Sequence, residues 1–405
     1  MDLDRRAHCS IRFRAIHTHP THIFAPLYRT LSADFDDFAV AFLTDLSSTH
    51  LEPSFSEKFG QTFAWDVDVI SGYTWSALGV GANVRDVRRP GKLSAVYRAT
   101  RCWIRDESPD VVMLNGWSAE LAAVALALRR SRVPFVLRGT ARSPRPQGFW
   151  RDLFGERVKK LVARGASAGA FIGMASREEY LRLGMAPQSL FFSPYVVDGT
   201  AWQSRVSDVS GNRVHMREQL GTASDVTVFL FVGKLIACKE VDRLIETMSR
   251  LPYRSQWQLL LVGDGPEKSN LQRRVRDLQL EDRVRFVGFQ NQGQLADYFV
   301  AADVLVLFSS SETWGLVVNE GQQAGLPTLV SLDAGAAADL VLDGVTGYRA
   351  NIYDESATLE RLNQLLDPIR RAEMLSAIDV VGRQQSLESA APGIRAAVGY
   401  AASSG

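Results

Sequence analysis

Short apolar runs alternate with longer amphipathic stretches along most of the chain. Runs at 226–232, 258–262, 284–287, 304–308 and 328–331 are rich in Val, Leu and Phe. Continuous apolar runs of this length are typical of parallel strands that are buried on both faces. A stretch with helical spacing follows each run. The pattern therefore predicts an α/β protein with doubly wound parallel sheets.

The alternation occurs in two blocks, which predicts two domains. Strands of the first block are expected at 11–16, 38–43, 111–114, 133–138, 170–173 and 189–192. Between 47 and 90 the pattern weakens, and we expect a long irregular insertion that lines a cleft. The stretch 194–211 is rich in Ser, Asp and Val and is predicted to be a linker. The predicted boundaries are 1–205 and 206–372, followed by helices at 373–405.

Bulk composition is consistent with a globular protein of two domains. The chain has 405 residues, of which 46% are hydrophobic and 22% are charged, and a net charge of +1. A balanced charge offers no general attraction to nucleic acid, so we expect no nucleic-acid partner. Three scattered cysteines form neither a metal spacing nor a disulfide framework. Neither a signal sequence nor a membrane span is evident, so we expect a cytoplasmic protein.

The stretch 303–330 carries the strongest chemical signal. A buried strand ends in a polar loop with Glu312, and a helix begins after Gly315 with Glu320 in its second turn. The N–H groups of Gly315, Leu316 and Val317 at the helix start form an anion site. Two carboxylates beside such a site suit a ligand with both hydroxyls and phosphate, such as a nucleotide sugar. The alternative is that both glutamates only favour the start of the helix.

Glu312, Gly315, Glu320, Gly325 and Pro327 in this order resemble the E-x7-E signature of the retaining glycosyltransferases called group 1 or family 4. The resemblance implies the GT-B architecture, in which two Rossmann-like domains face each other across a cleft and the last helices return to the first domain. It also implies hexosyl transfer from a UDP-, GDP- or ADP-sugar to a hydroxyl. Glu312 would then bind the sugar hydroxyls and Glu320 the ribose. We expect neither a metal nor a cofactor.

Gly233, Lys234 and Lys239 follow the first strand of the second block. The glycine lets a ligand approach the backbone, and the two cations can bracket a diphosphate. The family has arginine where this chain has Lys234, so a point charge replaces a bidentate fork. Two solvated lysines at a strand end are the alternative.

Phe289 and Gln290 are candidates for contact with the nucleotide base. They follow Gly288, after which the family's backbone usually receives the base, although Phe289 could equally serve packing. The turn Val262-Gly263-Asp264-Gly265-Pro266 and the loop 333–336 also match the family. The resemblance thus spans about 229–348.

The first block offers candidates for the acceptor side. Many family members have a histidine where this chain has Asn115. The three histidines of the first loop, His17, His19 and His22, are potential substitutes, and His19 and His22 are the candidates for contact with the substrate. Arg138 belongs to a segment that resembles one bacterial branch of the family. The alternative for the histidines is a solvated loop.

The region 85–164 is markedly basic, with Trp103 and Trp150 interleaved. Either it is a solvated helical face or it contacts an anionic membrane or a phospholipid-linked acceptor. An apolar chain could pack against Trp75, Trp103 or Trp150. We therefore expect a saccharide or lipid-linked saccharide acceptor and synthesis of a cell-surface polysaccharide or glycolipid at the inner membrane face.

Two other functions are compatible with the sequence. A catalytically degenerate GT-B protein would bind a nucleotide or glycan as a partner protein without transfer. A GT-B epimerase would convert a nucleotide sugar without any acceptor. The sugar, the base and the acceptor are not determined by these motifs.

Overall fold

The computed structural model describes residues 11–44, 54–56, 61–63, 68–139, 149–195, 197–252, 256–384 and 386–404. These residues belong to two compact units. The first contains the described residues up to 44, those from 68 to 195 and those from 387 onward, and the second contains those from 197 to 386 together with a short hairpin. Among the described residues, no helix is both long enough and apolar enough to cross a membrane.

The first unit contains a seven-stranded parallel sheet in the order β5-β2-β1-β6-β7-β8-β9. The strands up to residue 192 are β1 (Phe13–His17), β2 (Phe38–Thr44), β3 (Ser54–Ser56), β4 (Gln61–Phe63), β5 (Thr74–Gly81), β6 (Val111–Asn115), β7 (Phe135–Arg138), β8 (Ala168–Phe171) and β9 (Leu190–Phe192). The hairpin formed by β3 and β4 is antiparallel and separate from this sheet. Residues of β1 and β6 are buried throughout, as their continuous apolar pattern predicts.

Helices lie between these strands. They are α1 (Ala25–Asp34), α2 (Val84–Val87), α3 (Leu93–Glu107), α4 (Ala119–Ser131), α5 (Phe149–Gly165) and α6 (Met174–Arg182). The predicted alternation of strands and helices is confirmed in this unit, with differences of a few residues at the ends.

The second unit contains a six-stranded sheet in the order β12-β11-β10-β13-β14-β15, with every pair parallel. Its strands are β10 (Thr227–Val232), β11 (Trp257–Val262), β12 (Val284–Gly288), β13 (Val304–Leu307), β14 (Thr328–Ser331) and β15 (Gly347–Ala350). Its helices are α7 (Gly199–Val209), α8 (Arg213–Gln219), α9 (Val241–Ser249), α10 (Lys268–Asp277), α11 (Gln292–Ala301), α12 (Leu316–Gln323), α13 (Ala337–Leu340), α14 (Glu355–Leu366) and α15 (Pro368–Gln384).

The last helix, α16 (Leu387–Ser403), packs on β8, β9 and α1 of the first unit. The helix approaches the strand closely at Gly393, where a Cβ atom would overlap the carbonyl oxygen of Phe192. A glycine at this position therefore permits the contact. By contrast, α15 belongs to the second unit, although the predicted terminal segment began at 373.

The prediction of an irregular linker at 194–211 is wrong, because most of this stretch forms the helix α7. Asp198 caps this helix by accepting a hydrogen bond from the Ala201 N–H at 3.1 Å. Its apolar face consists of Trp202, Val206 and Val209, which pack in a hydrophobic core of the second unit. Their spacing is helical, but three residues in a polar segment are a weak signal.

The predicted irregular insertion at 47–90 also needs correction. Within it, β5 pairs with β2 and forms the edge of the first sheet. All residues of β5 except its last two are exposed or half-buried, so the strand lacks the apolar run that marks a central strand. Part of the predicted insertion lies outside the described residues.

Candidate functional site

The predicted donor-binding residues follow three strands of the second sheet at its carboxyl edge. Gly233 and Lys234 follow β10, Phe289 and Gln290 follow β12, and Glu312 lies on the loop after β13. Because β10 lies between β11 and β13, its loop is flanked by the loops of both neighbours. Ligands of open parallel sheets bind at this edge.

An ion pair joins the loop after β10 to the loop after β13. Lys239, at the end of a 3₁₀ turn, donates a hydrogen bond from Nζ to Glu312 Oε2. Both side chains are largely buried, with exposed fractions of 15% and 19%. The carbonyl of Cys238 accepts hydrogen bonds from Ser309 Oγ and the Ser310 N–H, each at 2.9 Å. The two charged groups are therefore held by a fixed backbone.

The loop that carries Glu312 is fixed from its other side by the loop after β14. The Gly335 N–H donates to the Glu312 carbonyl at 3.0 Å, and the Ala336 N–H donates to the Trp314 carbonyl at 2.8 Å. At Gly335 a Cβ atom would overlap the carbonyl oxygen of Thr313, so only glycine allows this approach. The family-like loop at 333–336 thus supports Glu312.

Gly315 turns the chain into α12. Its φ of +99° lies in the left-handed region, and a Cβ atom there would lie 2.8 Å from Leu307 Cδ2. Leu316 and Val317 are the first two residues of the helix, where backbone N–H groups have no partner within the helix. The helix thus begins where the sequence predicted, and anion binding at its start stays a prediction.

Glycines bring the loops after β10, β11 and β12 into backbone contact. The Gly263 N–H donates to the Gly288 carbonyl at 2.8 Å, and the Gly233 N–H donates to the Val262 carbonyl at 3.0 Å. Gly263 has a φ of +143°, and a Cβ atom on it would overlap the Gly233 carbonyl oxygen. The turn at 262–266 consequently determines where Gly233 and the neighbouring half-buried Lys234 lie.

Glu320 lies half-buried on α12. Burial raises the pKa of its carboxyl to about 7, and a hydrogen bond with the Gln292 side chain acts in the opposite direction. Trp202 Nε1 donates to the Glu320 carbonyl at 2.9 Å. The contact with Trp202 was not foreseen from the sequence, because it joins residues 118 positions apart.

Replacing Glu320 with glutamine should change how stability depends on pH. The folded pKa of about 7 exceeds the ordinary 4.5, so between these values the folded protein binds more protons at Glu320 than the unfolded chain. The free energy of unfolding of the natural protein therefore falls as pH rises through this window, whereas glutamine does not titrate. The variant should gain about 2 kcal/mol relative to the natural protein between pH 5 and pH 8.

Urea unfolding of both proteins at pH 5, 6.5 and 8 measures this difference. The exposed Glu281→Gln variant is the control and should follow the natural protein at every pH. A Glu320→Gln profile parallel to that of the natural protein would contradict the prediction.

Asn115 and Arg138 lie at the ends of β6 and β7, but their side chains form hydrogen bonds with other residues of the first unit. Arg138 is 1% exposed and donates to Ser193 Oγ at 3.0 Å, the Pro194 carbonyl at 2.8 Å and Asn115 Oδ1 at 3.5 Å. Asn115 Nδ2 donates to the Tyr28 hydroxyl at 3.1 Å. Burial lowers the pKa of Arg138 and raises that of Tyr28. These contacts support the strand ends, and an acceptor role for either residue stays a prediction.

The loop after β1 holds His19 and His22, both half-buried. His17, which was predicted to lie in the same loop, is the last residue of β1. It is 7% exposed and stacks on His19 with ring centroids 5.8 Å apart. Burial, followed by the charges of neighbouring groups, holds the pKa of His17 well below its usual range.

Trp75 and Trp103 line a cavity at the amino edge of the first sheet, together with Arg14, Asp37 and Glu107. Arg14 forms ion pairs with both carboxylates, at 2.7 Å to Asp37 and 2.9 Å to Glu107. A lipid contact of these tryptophans stays a prediction. The side chain of Trp150 lies outside the described residues.

Within the described ranges, no group of three or more His, Cys, Asp or Glu side chains is placed to hold a metal ion. Metal independence of the activity stays a prediction.

Two sequence profiles match the chain, one for each unit. The profile of the group 1 glycosyl transferases matches residues 212–377, and that of the glycosyl transferase 4-like domain matches 19–195. The chain belongs to the group 1 glycosyltransferases. Each of its two units is a doubly wound parallel sheet of the Rossmann-like kind found in GT-B glycosyltransferases, and this predicted fold class is confirmed.

Individual relatives give the same result. D-inositol 3-phosphate glycosyltransferase 2 of Catenulispora acidiphila is 35% identical over 171 residues, which are 40% of this chain and 40% of that protein. The lipopolysaccharide core biosynthesis glycosyltransferase LpsE of Rhizobium meliloti is 33% identical over 150 residues, 37% of this chain and 42% of that protein. The match thus spans about two fifths of the length of these curated relatives.

Among solved structures, HepE of Anabaena in complex with UDP and glucose superposes with a TM-score of 0.68. The superposition covers 95% of this chain and 98% of HepE at 19% identity. The similarity at this level of identity concerns the fold.

Proposed function

We propose that this protein is a retaining glycosyltransferase that moves a hexosyl group from a nucleoside diphosphate sugar to a hydroxyl acceptor. The observation that carries the proposal is the ion pair of Lys239 and Glu312, held between the loops after β10 and β13 beside the start of α12. This arrangement places a cation, a carboxylate and backbone N–H groups at the ligand-binding edge of the sheet.

Each part of the site has a chemical role in such a transfer. When the bond between the sugar and the diphosphate breaks, negative charge develops on the leaving phosphate. Lys239, Lys234 and the N–H groups of Leu316 and Val317 would stabilise that charge. Glu312 would then accept hydrogen bonds from the sugar hydroxyls, and Glu320 would bind the ribose hydroxyls.

The donor is proposed to be a UDP-, GDP- or ADP-sugar. HepE was crystallised with UDP and glucose, and its fold is shared by this chain. Phe289 and Gln290, both half-buried after β12, are the proposed contacts of the base. The donor requires neither a metal nor a cofactor in this proposal.

The acceptor is proposed to be a saccharide or a lipid-linked saccharide of the cell surface. The relative LpsE is named for lipopolysaccharide core biosynthesis, which supports this class of acceptor. Exposed arginines on α3, including Arg98, Arg101 and Arg105, are available to an anionic membrane at its inner face.

Replacing Glu320 with alanine should weaken donor binding about 10- to 100-fold. The variant loses hydrogen bonds between a carboxylate and the ribose, which are typically stronger than neutral ones. Titration calorimetry with UDP-, GDP- and ADP-sugars measures the effect. The exposed Glu281→Ala variant is the control and should bind the donor like the natural protein. Failure of the natural protein to bind any of the three donor types would refute the proposed function.

Product analysis distinguishes the transferase from the two alternatives. A transferase should slowly release free sugar from the bound donor when no acceptor is present, and a non-catalytic binding protein should not. An epimerase would return a different intact nucleotide sugar. Chromatography of the reaction mixture identifies which of these products forms.

A further inference from the structure

An apolar cavity of about 220 Å³ lies in the first unit between α4, α5 and the ends of β6 and β7. Its lining includes the apolar side chains of Leu114, Leu121, Leu137, Val158, Val162 and Trp117. The Trp117 ring lies 5.5 Å from that of Tyr180, which limits its movement. An engineered apolar cavity of about 150 Å³ holds benzene, so this one has room for roughly eight or nine carbons.

Among the described residues that line the cavity, Lys159 is the single charged one. It belongs to a basic part of α5 in which Arg157, Lys160 and Arg164 are accompanied by one carboxylate, Glu156. Leu161 on the same helix is 52% exposed. The cavity therefore combines an apolar interior with a cationic border.

This combination selects the chemistry of an occupant. The side chains with polar atoms in the lining are those of Trp117, Ser118 and Lys159. A sugar or a nucleotide would need more polar groups than these three provide. An alkyl chain suits the interior, and a phosphate at the end of the chain complements Lys159. Such a phosphate would also lie near the amino end of α4, where Ser118 Oγ lines the cavity and has no hydrogen-bond partner among the described residues.

We propose that the cavity binds the alkyl chain of a phosphate-linked lipid acceptor, with its phosphate beside Lys159. The inference rests on the proposed function, of which a lipid-linked saccharide is one acceptor. The site is independent of Trp75 and Trp103, the tryptophans singled out in the sequence.

Octyl phosphate is a suitable probe, and titration calorimetry below its micelle-forming concentration measures its binding. The natural protein should bind octyl phosphate and should bind inorganic phosphate at least tenfold more weakly. Equal affinity for octyl phosphate and inorganic phosphate would overturn the proposal, because the alkyl chain would then contribute nothing to binding.

Gly155→Leu tests the interior of the cavity. Gly155 lines the cavity, and a Cβ atom built on it meets no atom within 4 Å. Leucine also favours a helix more than glycine does, so the variant should fold. It should bind octyl phosphate at least tenfold more weakly, whereas Gly155→Ala should stay within about threefold of the natural protein. Unchanged affinity in a folded Gly155→Leu protein would overturn the proposal.

Lys159→Gln tests the border of the cavity. It should weaken octyl phosphate binding about three- to tenfold, and Lys160→Gln on the same helix should leave it within twofold. Equal effects of the two variants would overturn the role given to Lys159. Titration of the natural protein with the donor separates the two proposals. If it binds the donor but not octyl phosphate, only this inference is overturned. If it does not bind the donor, the proposed function is refuted.

Discussion

Alanine in place of Lys239 is expected to lower kcat for sugar transfer by about 100- to 1000-fold. The lysine is held beside Glu312 by the Cys238 backbone, so its charge is already in place when the leaving diphosphate becomes more negative. Removal of a preorganised cation raises the barrier to bond breaking more than it weakens ground-state binding. Steady-state kinetics with a donor identified by calorimetry measures kcat and KM separately.

Arg273→Ala is the matched control for this variant. Arg273 is exposed on α10 of the same unit, so the control removes one positive charge without touching the site. Its kcat should stay within twofold of the natural value. A Lys239→Ala protein that keeps more than a tenth of the natural kcat would contradict the proposed role of the lysine.

The fold-loss of kcat in the double variant Lys239→Ala, Glu312→Ala should be much smaller than the product of the fold-losses in the two single variants. Each single variant leaves one largely buried charge without its partner, and the double variant leaves none. This non-additivity is the signature expected of two residues that act as one unit.

The second large effect is expected for Gly263→Ala, which should lower the free energy of unfolding by about 3 kcal/mol or more. Alanine is strained at a φ of +143°, and its Cβ would overlap the Gly233 carbonyl oxygen. The loop after β10 would have to move, and Lys234 would move with it. Donor affinity should therefore fall even though Gly263 has no side chain to bind a ligand.

Gly211→Ala is the control for the glycine substitution. A Cβ atom at Gly211 meets no atom within 4 Å, and its φ is not in the left-handed region. Stability should change by no more than about 0.5 kcal/mol. Urea unfolding and donor titration on both variants check the pair. A Gly263→Ala protein as stable as the control would show that the loops adapt freely.

Much of the fold followed from local pattern. Apolar runs such as 226–232 and 304–308 predicted buried parallel strands because only such strands are apolar on both faces. The edge strand β5 was missed because most of it is exposed. The helix α7 was missed because Trp202 is the single fully buried residue among those described in it, so its pattern is weak. A segment that buries few apolar side chains shows only a weak hydrophobic pattern in its sequence.

The candidate site divides in a similar way. The order and spacing of Glu312, Gly315 and Glu320 are enough to suggest a family and a ligand class. The sequence does not show that Lys239 pairs with Glu312, because the two residues are separated by 73 positions. It also does not show that Arg138 donates hydrogen bonds to Ser193 and Pro194, which lie 55 and 56 positions further along the chain.

The amino-acid sequence by itself shows the alternation of strands and helices, the glycines of the turns and the chemical groups at the strand ends. These are local properties that depend on side-chain type, spacing and backbone freedom. Three-dimensional packing sets which groups meet, how far they are buried and which pKa values shift, because those properties depend on neighbours that are distant in sequence. Glu320 illustrates the division: its spacing from Glu312 is visible in the chain, but the burial that raises its pKa exists only in the fold.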